Sequence, residues 1–276
     1  MAYFTTRDGT AIRYKELGEG RPVILIHGWP LSGDSWDPVM MHLADNGMRA
    51  IAYDRRGFGG SDHAASGYDY DTFSDDLADL IARLGLDANI GLAGFSMGGG
   101  EIARYMSRHG GKGVTAAALV SSVVPYMLQT DDNPEGVPDA TFKEMTEGMK
   151  DDFRAFFTGF FKDFYGVGGP GTPVSEEERH WAWQTAMKAS QYATLQSAAA
   201  FAYTDFRPDL AHFNVPTLVI HGTNDKTVPI EATGRKAAAG IANARLIEYA
   251  DEPHAVFATV TDRLSSDLAE FFGANR

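Results

Sequence analysis

The chain has 276 residues, 44% of them hydrophobic and 12% aromatic, which is enough for one large domain or two small ones with a substantial core. Its formal net charge is −13, from 24 basic and 37 acidic side chains, and so acidic a surface disfavours nucleic-acid and anionic-lipid partners. The absence of cysteine excludes disulfides, thiolate metal ligands and a cysteine nucleophile. Without a recognisable secretory signal or a bilayer-length apolar run, a cytoplasmic protein is expected.

Short apolar runs alternate along the chain with longer amphipathic segments. In chain order, strands are predicted at Ala11–Leu17, Pro22–Ile26, Arg49–Tyr53, Ile90–Phe95, Ala116–Val120, Thr217–Ile220 and Arg245–Tyr249. Helices are predicted at Asp37–Asn46, Thr72–Leu84, Met97–His109, Pro229–Ala239 and Val256–Phe272. This alternation predicts an α/β protein whose mostly parallel sheet is covered by helices on both sides.

One stretch, from Tyr126 to Phe206, interrupts the alternation because it contains no convincing buried strand. It is rich in aromatic residues and helix formers, and segments rich in glycine and proline divide it into helical pieces. We therefore predict a core of residues 1–124 and 207–276 with a helical cap of residues 125–206. The aromatic side chains of the cap fit either the cap's own core or an apolar cavity between cap and sheet.

The pentapeptide Gly94–Gly98 fits the pattern Gly-x-Ser-x-Gly and lies between a predicted strand and a predicted helix. A serine at the apex of so tight a turn is forced toward positive φ, and the flanking glycines let neighbouring chain pass closely. The turn also places Ser96 at the positive end of the following helix, where a developing oxyanion is favoured. Ser96 is the candidate nucleophile; the alternative is a glycine-rich turn with an incidental serine.

A serine nucleophile needs a base, and the base needs an acid that orients it. Asp225 and His254 each follow a predicted strand, at the edge where open parallel sheets place their sites. The chain order of Ser96, Asp225 and His254 matches the order expected for this architecture. Asp251 and Glu252 are rival acids, but residues so near the histidine along a loop seldom fold round to its far nitrogen.

An oxyanion hole needs two backbone N–H donors. One is Met97, directly after the candidate nucleophile, and the other should come from the loop after the strand Pro22–Ile26. Because Pro30 has no N–H, Trp29 is the natural second donor. The histidines that precede a glycine at a strand end, His27 and His221, are expected to tie loop backbone together. The predicted substrate-binding residues are Trp29, Phe95, Val123, Tyr126 and Val228, together with aromatic residues of the cap.

With these motifs the sequence resembles the α/β-hydrolase family over its whole length, and within it the cofactor-free haloperoxidases (perhydrolases) and the bacterial aryl esterases. The matching segments are His27–Pro30, Asp54–Ser61, Gly94–Gly99, His221–Asp225 with Val228-Pro229, and His254. The resemblance implies the α/β-hydrolase fold, with a mostly parallel eight-stranded sheet, flanking helices and a helical cap. It also implies that Ser96, Asp225 and His254 form the triad. The tetrad Asp251–His254 departs from relatives, which usually have a small residue or glycine near its start.

The resemblance implies hydrolysis of small esters through an acyl-enzyme, with hydrogen peroxide able to replace water and yield a peracid. Pro30 is associated with relatives that use peroxide, although a rigid loop is an equal explanation. The alternatives are a γ-lactamase or amidase of the same fold and a non-catalytic ligand receptor; serine at the elbow disfavours a carboxylate nucleophile. No metal or other cofactor is expected, and the expected partners are a small ester or amide and hydrogen peroxide. The sequence leaves open whether the protein forms a homo-oligomer.

Overall fold

An eight-stranded sheet runs through the centre of the computed structural model, which describes residues 2–275. The strands are β1 (Ala2–Thr5), β2 (Ala11–Leu17), β3 (Arg21–Ile26), β4 (Met48–Tyr53), β5 (Ile90–Phe95), β6 (Val114–Val120), β7 (Thr217–Gly222) and β8 (Ala244–Tyr249). Their spatial order is β1-β2-β4-β3-β5-β6-β7-β8. The pairs β1–β2 and β2–β4 are antiparallel and the remaining pairs are parallel. The predicted eight-stranded, mostly parallel sheet is therefore confirmed.

Ten α-helices in residues 2–275 follow or connect these strands. They are α1 (Asp37–Asp45), α2 (Tyr70–Arg83), α3 (Met97–Arg108), α4 (Asp139–Asp151), α5 (Phe153–Phe164), α6 (Glu176–Lys188), α7 (Gln191–Tyr203), α8 (Gly234–Gly240), α9 (Val256–Thr259) and α10 (Thr261–Ala274). Helix α1 packs with α10, and α2 packs with α3. The central strands β3, β5 and β6 are buried almost throughout, as expected for strands covered on both faces.

Three elements differ from the sequence-based prediction. Strand β1 was not predicted individually, because a segment of four residues is too short to show the alternation that marks a strand. The helix predicted from Pro229 begins only at Gly234, since the preceding residues form turns. The helix predicted over 256–272 is two helices, because the backbone at Val260 leaves the helical region with φ −133° and ψ 46°.

The loop Asp54–Ser61, after β4, is anchored by charged side chains. Asp54 pairs with Arg13 at 2.8 Å and accepts the backbone N–H groups of Gly33 and, within the loop, of Gly60. Arg56 binds Asp76 of α2 through two 2.7 Å hydrogen bonds. Burial raises the pKa of Asp76 to about 6, although the Arg56 guanidinium opposes that rise. These contacts give the loop a structural role, joining β2, β4 and α2.

Helices α4–α7 all lie between β6 and β7 in the chain. Helix α4 packs with α5 and α7, and α5 packs with α6, so the four helices form one connected group. The boundaries of core (1–124 and 207–276) and cap (125–206) stay a prediction. Among the described residues, no helix combines the length and the apolar character needed to cross a bilayer. The cytoplasmic location also stays a prediction.

Candidate active site

Ser96 occupies the sharp turn between β5 and α3, with φ 53° and ψ −118°. Positive φ strains a residue that has a Cβ, so the surrounding chain must hold Ser96 in place. The flanking glycines make this possible. A Cβ at Gly94 would lie 2.5 Å from the backbone of Gly98, and a Cβ at Gly98 would lie 2.5 Å from the Ile26 carbonyl oxygen. Helix α3 can therefore start directly against β3 and β5.

Ser96, His254 and Asp225 come together at the carboxyl edge of the sheet. Nε2 of His254 lies 2.9 Å from Oγ of Ser96, and Nδ1 lies 2.6 Å from Oδ2 of Asp225. Because an ionised carboxylate can only accept, Nδ1 carries the proton and donates it to Asp225. In the neutral imidazole, Nε2 is then left as the acceptor for the Ser96 hydroxyl. All three side chains are buried.

The carboxylate of Asp225 accepts three hydrogen bonds and lies against a second imidazole. Its Oδ1 accepts the backbone N–H groups of Thr227 (2.9 Å) and Val228 (2.7 Å), and its Oδ2 faces His254 and, at 3.1 Å, Nε2 of His221. Burial by itself raises the pKa of the Asp225 carboxyl, but the two imidazoles outweigh burial and hold that pKa well below its usual range. Asp225 therefore stays ionised beside His254.

The rival carboxylates next to His254 point elsewhere. Glu252 accepts a 2.6 Å hydrogen bond from the hydroxyl of Thr172, and Asp251 is exposed. Two aromatic rings pack against the imidazole of His254: the ring centroids of Phe95 and Phe164 each lie 4.9 Å from its centroid. The orientation of His254 is thus set by Asp225 at one nitrogen and by ring packing.

Two backbone N–H groups beside Ser96 have no acceptor. Within residues 2–275, neither Trp29 nor Met97 donates its backbone N–H to a protein atom. Met97 follows Ser96 directly, and the loop that carries Trp29 lies against it, because a Cβ at Gly28 would stand 3.0 Å from the Cβ of Ser96. Unpaired donors at such a place fit an oxyanion that forms on a bound substrate.

A buried ion pair supports the loop that carries Trp29. The guanidinium of Arg55 binds the carboxylate of Glu101 on α3, and that carboxylate also accepts a 2.5 Å hydrogen bond from Tyr53. Nη2 of Arg55 donates to the carbonyl of His27 (2.8 Å), and the backbone N–H of Arg55 donates to Nε2 of the His27 ring (2.9 Å). Burial and the Arg55 charge lower the pKa of His27 well below its ordinary value, so this imidazole is neutral and binds loop backbone.

Ser96 and His254 open into a cavity of about 410 Å³. Of the predicted substrate-binding residues, Trp29, Val123 and Val228 line it. Two predictions need correction. Phe95 is fully buried behind His254, where its ring also packs against Phe257, and Tyr126 lies half-buried under the guanidinium of Arg207, 5.0 Å from its ring. Neither of these two side chains reaches the cavity wall.

Helices α4, α5 and α7 and the segment before α4 provide much of the cavity wall, and sequence analysis did not identify most of these residues. These residues are Met127, Val137, Thr141, Phe142, Met145, Phe156, Gly159, Phe160 and Phe201. The cavity is also lined by three exposed charged residues, Glu144, Asp163 and Lys226. The aromatic richness of the predicted cap was the available signal, but it could not separate cavity wall from cap core. Sequence reasoning also missed the contact between His221 and Asp225.

The side chain of Trp29 connects the loop after β3 with helices α5 and α7. Its indole N–H donates to the carbonyl of Thr194 on α7 at 2.9 Å. Its ring packs against Phe157, Phe160 and Phe201, with centroid distances from 5.2 to 5.5 Å. The loop beside Ser96 is therefore held directly by helices α5 and α7. No group of three His, Asp or Glu side chains suited to a metal ion occurs in the described part of the chain.

The fold and the geometry at Ser96 define a class of protein: a parallel sheet in which a serine on a strand–turn–helix elbow faces a histidine and a carboxylate. The chain belongs to the alpha/beta hydrolase fold family, whose family model matches residues 21–259. The resemblance expected from the sequence motifs is confirmed.

Individual relatives cover almost the whole chain. A non-heme chloroperoxidase of Kitasatospora aureofaciens is 43% identical over 98% of this chain and 99% of its own length. A bifunctional esterase/perhydrolase of Acinetobacter calcoaceticus is 38% identical, again over 98% of this chain and 99% of its own. The crystal structure of a bromoperoxidase from Bacillus anthracis superposes with a TM-score of 0.94 at 41% identity, covering 99% of this chain and 100% of that one.

Proposed function

We propose that this protein is a serine hydrolase that cleaves small carboxylic esters through an acyl-enzyme, with Ser96 as nucleophile, His254 as general base and Asp225 as the orienting acid. The observation that carries this proposal is the unbroken hydrogen-bonded chain from Asp225 through His254 to Ser96, at 2.6 and 2.9 Å, which ends at an apolar cavity. Distances in this range are what proton transfer from hydroxyl to imidazole requires.

In the proposed acylation step, Oγ of Ser96 bonds to the ester carbonyl carbon while its proton passes to Nε2 of His254. The imidazolium returns that proton to the departing alcohol, and the acyl group stays on the serine. Asp225, which remains ionised, stabilises the imidazolium and keeps the proton on Nδ1 in the resting state. Water then attacks the acyl carbon with the same imidazole as base, which releases the acid and regenerates Ser96.

The proposed oxyanion hole is formed by the backbone N–H groups of Trp29 and Met97. Both donors lack an acceptor within residues 2–275, so no internal hydrogen bond has to break when the carbonyl oxygen becomes negative. In comparable sites one such donor contributes about 3 kcal/mol to transition-state stabilisation. Arg55 supports this site indirectly, through its bonds to His27.

The cavity favours small esters with apolar acyl or alcohol groups. Its volume of about 410 Å³ fits one small molecule, and Trp29, Val123 and Val228 are part of its apolar wall. The charged side chains that line it, Glu144, Asp163 and Lys226, are exposed.

We also propose that hydrogen peroxide replaces water in the second step, so that the acyl-enzyme yields a peracid. Support comes from relatives about 40% identical over nearly the full chain that are named as a non-heme chloroperoxidase and as an esterase/perhydrolase. Pro30, next to the proposed donor Trp29, is the sequence feature that favours this reaction. The peracid would oxidise halide in solution, which needs no bound cofactor.

The experiment is a turnover assay with p-nitrophenyl acetate, with and without hydrogen peroxide and bromide, using monochlorodimedone to detect halogenation. We expect Ser96→Ala to abolish both ester turnover and halogenation. Ser265→Ala, which changes a buried serine of α10 outside the cavity, is the matched control and should keep both activities. A folded Ser96→Ala enzyme with undiminished turnover would overturn the assignment.

A fluorophosphonate probe separates an enzyme from a protein that only binds ligands. We expect wild-type protein to be labelled on Ser96 and the alanine variant to be unlabelled. If folded wild-type protein takes up no label, a non-catalytic ligand receptor becomes the better description. Turnover of a bicyclic γ-lactam at a rate exceeding that of aryl acetates would instead favour the amidase alternative.

A further inference from the structure

Two methionine thioethers are part of the cavity wall that Ser96 and His254 share. Met127 lies between β6 and α4, and Met145 lies on α4. Met127 is 1% exposed and Met145 is half-buried. Neither side chain has a part in the proposed ester chemistry, yet both place an oxidisable sulfur in the compartment where a peracid would form.

We propose that the peracid produced at Ser96 oxidises Met127 and Met145 to sulfoxides, and that turnover with peroxide thereby inactivates the enzyme progressively. This inference rests on the proposed perhydrolysis. Both thioethers are modification sites for an oxidant that is made inside the protein. An oxidant dissolved in the solvent would instead react first with methionines on the surface.

The reaction is a single oxygen-atom transfer. The thioether sulfur attacks the terminal peroxy oxygen, an S–O bond forms and the O–O bond breaks. Sulfur is oxidised by two electrons, the peroxy oxygen is reduced, and the hydroxyl proton moves to the departing carboxylate. The products are a methionine sulfoxide and the parent carboxylic acid, so the co-reactants are only the ester and hydrogen peroxide.

Confinement favours the cavity methionines over the others. One peracid molecule in a cavity of about 410 Å³ is at an effective concentration in the molar range, far above the concentration it reaches after diffusing out. The natural comparison is Met41 of α1, which is 55% exposed and meets any dissolved oxidant first. Met106 of α3 is 2% exposed and outside the cavity, so neither source should reach it.

Oxidation of these two residues changes the character of the wall. A sulfoxide is polar and chiral where the thioether was apolar and adaptable. At Met127 the sulfoxide oxygen would be almost fully buried, and burying a polar group without a hydrogen-bond partner is unfavourable. We therefore expect a displaced wall beside Ser96 and a fall in kcat/KM for apolar esters.

The test uses hydrogen peroxide labelled with heavy oxygen, an alkyl acetate as acyl donor, and excess free methionine as a scavenger in bulk solution. Peptide mass spectrometry then measures label at each methionine. We expect label at Met127 and Met145 despite the scavenger, little at Met41 and none at Met106. Omitting the acyl donor, or using Ser96→Ala, should remove the label from the two cavity residues.

The functional half of the test follows each variant's activity relative to its own starting value during peroxide turnover. The double variant Met127→Leu/Met145→Leu should lose activity several-fold more slowly than wild type. Met41→Leu, which removes the exposed thioether instead, should decay at the wild-type rate. Equal decay of the double variant and wild type would overturn the proposed inactivation.

The halogenation of monochlorodimedone, measured in the same samples, separates failure of this inference from failure of the proposed function. Peracid formation with Met127 and Met145 unlabelled would overturn the modification alone. Equal labelling in wild type and Ser96→Ala would also overturn it, because the oxidant would then come from solution. Absence of peracid in the wild type would overturn both the perhydrolysis and the modification that depends on it.

Discussion

Nε2 of His221 lies 3.1 Å from Oδ2 of Asp225, so this carboxylate faces a second imidazole in addition to that of His254. The same Nε2 is 2.9 Å from the carbonyl oxygen of Val228, which can only accept, so Nε2 carries a proton. Nδ1 of His221 is buried and has no partner among the described residues. His221 thus donates its Nε2–H to the Val228 carbonyl and packs against the acid of the proposed triad, which it helps to position.

This geometry predicts a catalytic defect when the donor is removed. His221→Leu removes the hydrogen bond to the carbonyl of Val228, the residue whose backbone N–H binds Asp225. The lost bond is worth about 0.5–1.5 kcal/mol, so kcat should fall by about two- to tenfold. Because His221 is not part of the cavity wall, KM should stay near the wild-type value. His221→Gln restores an N–H donor and should recover part of kcat. If His221 had a purely structural role, kcat would fall equally in both variants. Steady-state kinetics with an aryl acetate measures the difference.

The ionisation of Asp225 predicts a pH dependence of stability. Its folded-state pKa is depressed below the unfolded value of about 3.9, so between the two values the unfolded chain binds more protons. The stabilisation that ionised Asp225 provides is therefore complete above the unfolded-state pKa and is lost as the pH falls through the folded-state pKa. The difference in unfolding free energy between wild type and Asp225→Asn should be largest near neutral pH and shrink below about pH 4.

Urea unfolding at a series of pH values measures this difference. Asp131→Asn is the control, because Asp131 is exposed and outside the site. Its unfolding free energy should run parallel to that of the wild type across the whole range. A difference for Asp225→Asn that does not change with pH would contradict the prediction.

The buried pair of Arg55 and Glu101 predicts a large loss of stability when one partner is removed. Both side chains are almost fully buried, and Arg55→Met would leave the Glu101 carboxylate without its counter-ion, at a cost of about 3–5 kcal/mol. The exposed pair of Arg235 and Glu248 provides the matched control, and Arg235→Met should cost less than about 1 kcal/mol. Urea unfolding distinguishes the two; similar losses would contradict the prediction.

Close packing at the elbow predicts that Gly98 tolerates no side chain. A Cβ at this position would lie 2.5 Å from the Ile26 carbonyl oxygen, so Gly98→Ala should cost about 1–3 kcal/mol and displace Ser96, which lowers kcat. Gly273→Ala is the control, because its Cβ would meet its nearest atom at 4.0 Å. In helix α10 it should stabilise the protein by about 0.5–1 kcal/mol. Thermal unfolding and ester turnover check both variants.

Much of the fold could be predicted because its signals are local. Short apolar runs and, for β2, the turn that precedes it marked seven of the eight strands, and the spacing of apolar residues marked the helices between them. The four-residue strand β1 and the break at Val260 were missed, since neither changes the apolar pattern enough to be seen. The proximity of Ser96, Asp225 and His254 could be predicted as well, because all three follow strands whose carboxyl ends share one edge.

By itself, then, the sequence determined the order of strands and helices, the elbow at Ser96 and the loops that carry its partners. Only the tertiary structure decided which side chains face the cavity. Phe95 adjoins Ser96 in the chain but packs behind His254, and Tyr126 turns to Arg207, whereas Met127 reaches the wall. The physical reason is that neighbouring residues point in different directions, and each direction is selected by long-range packing that a one-dimensional pattern does not contain.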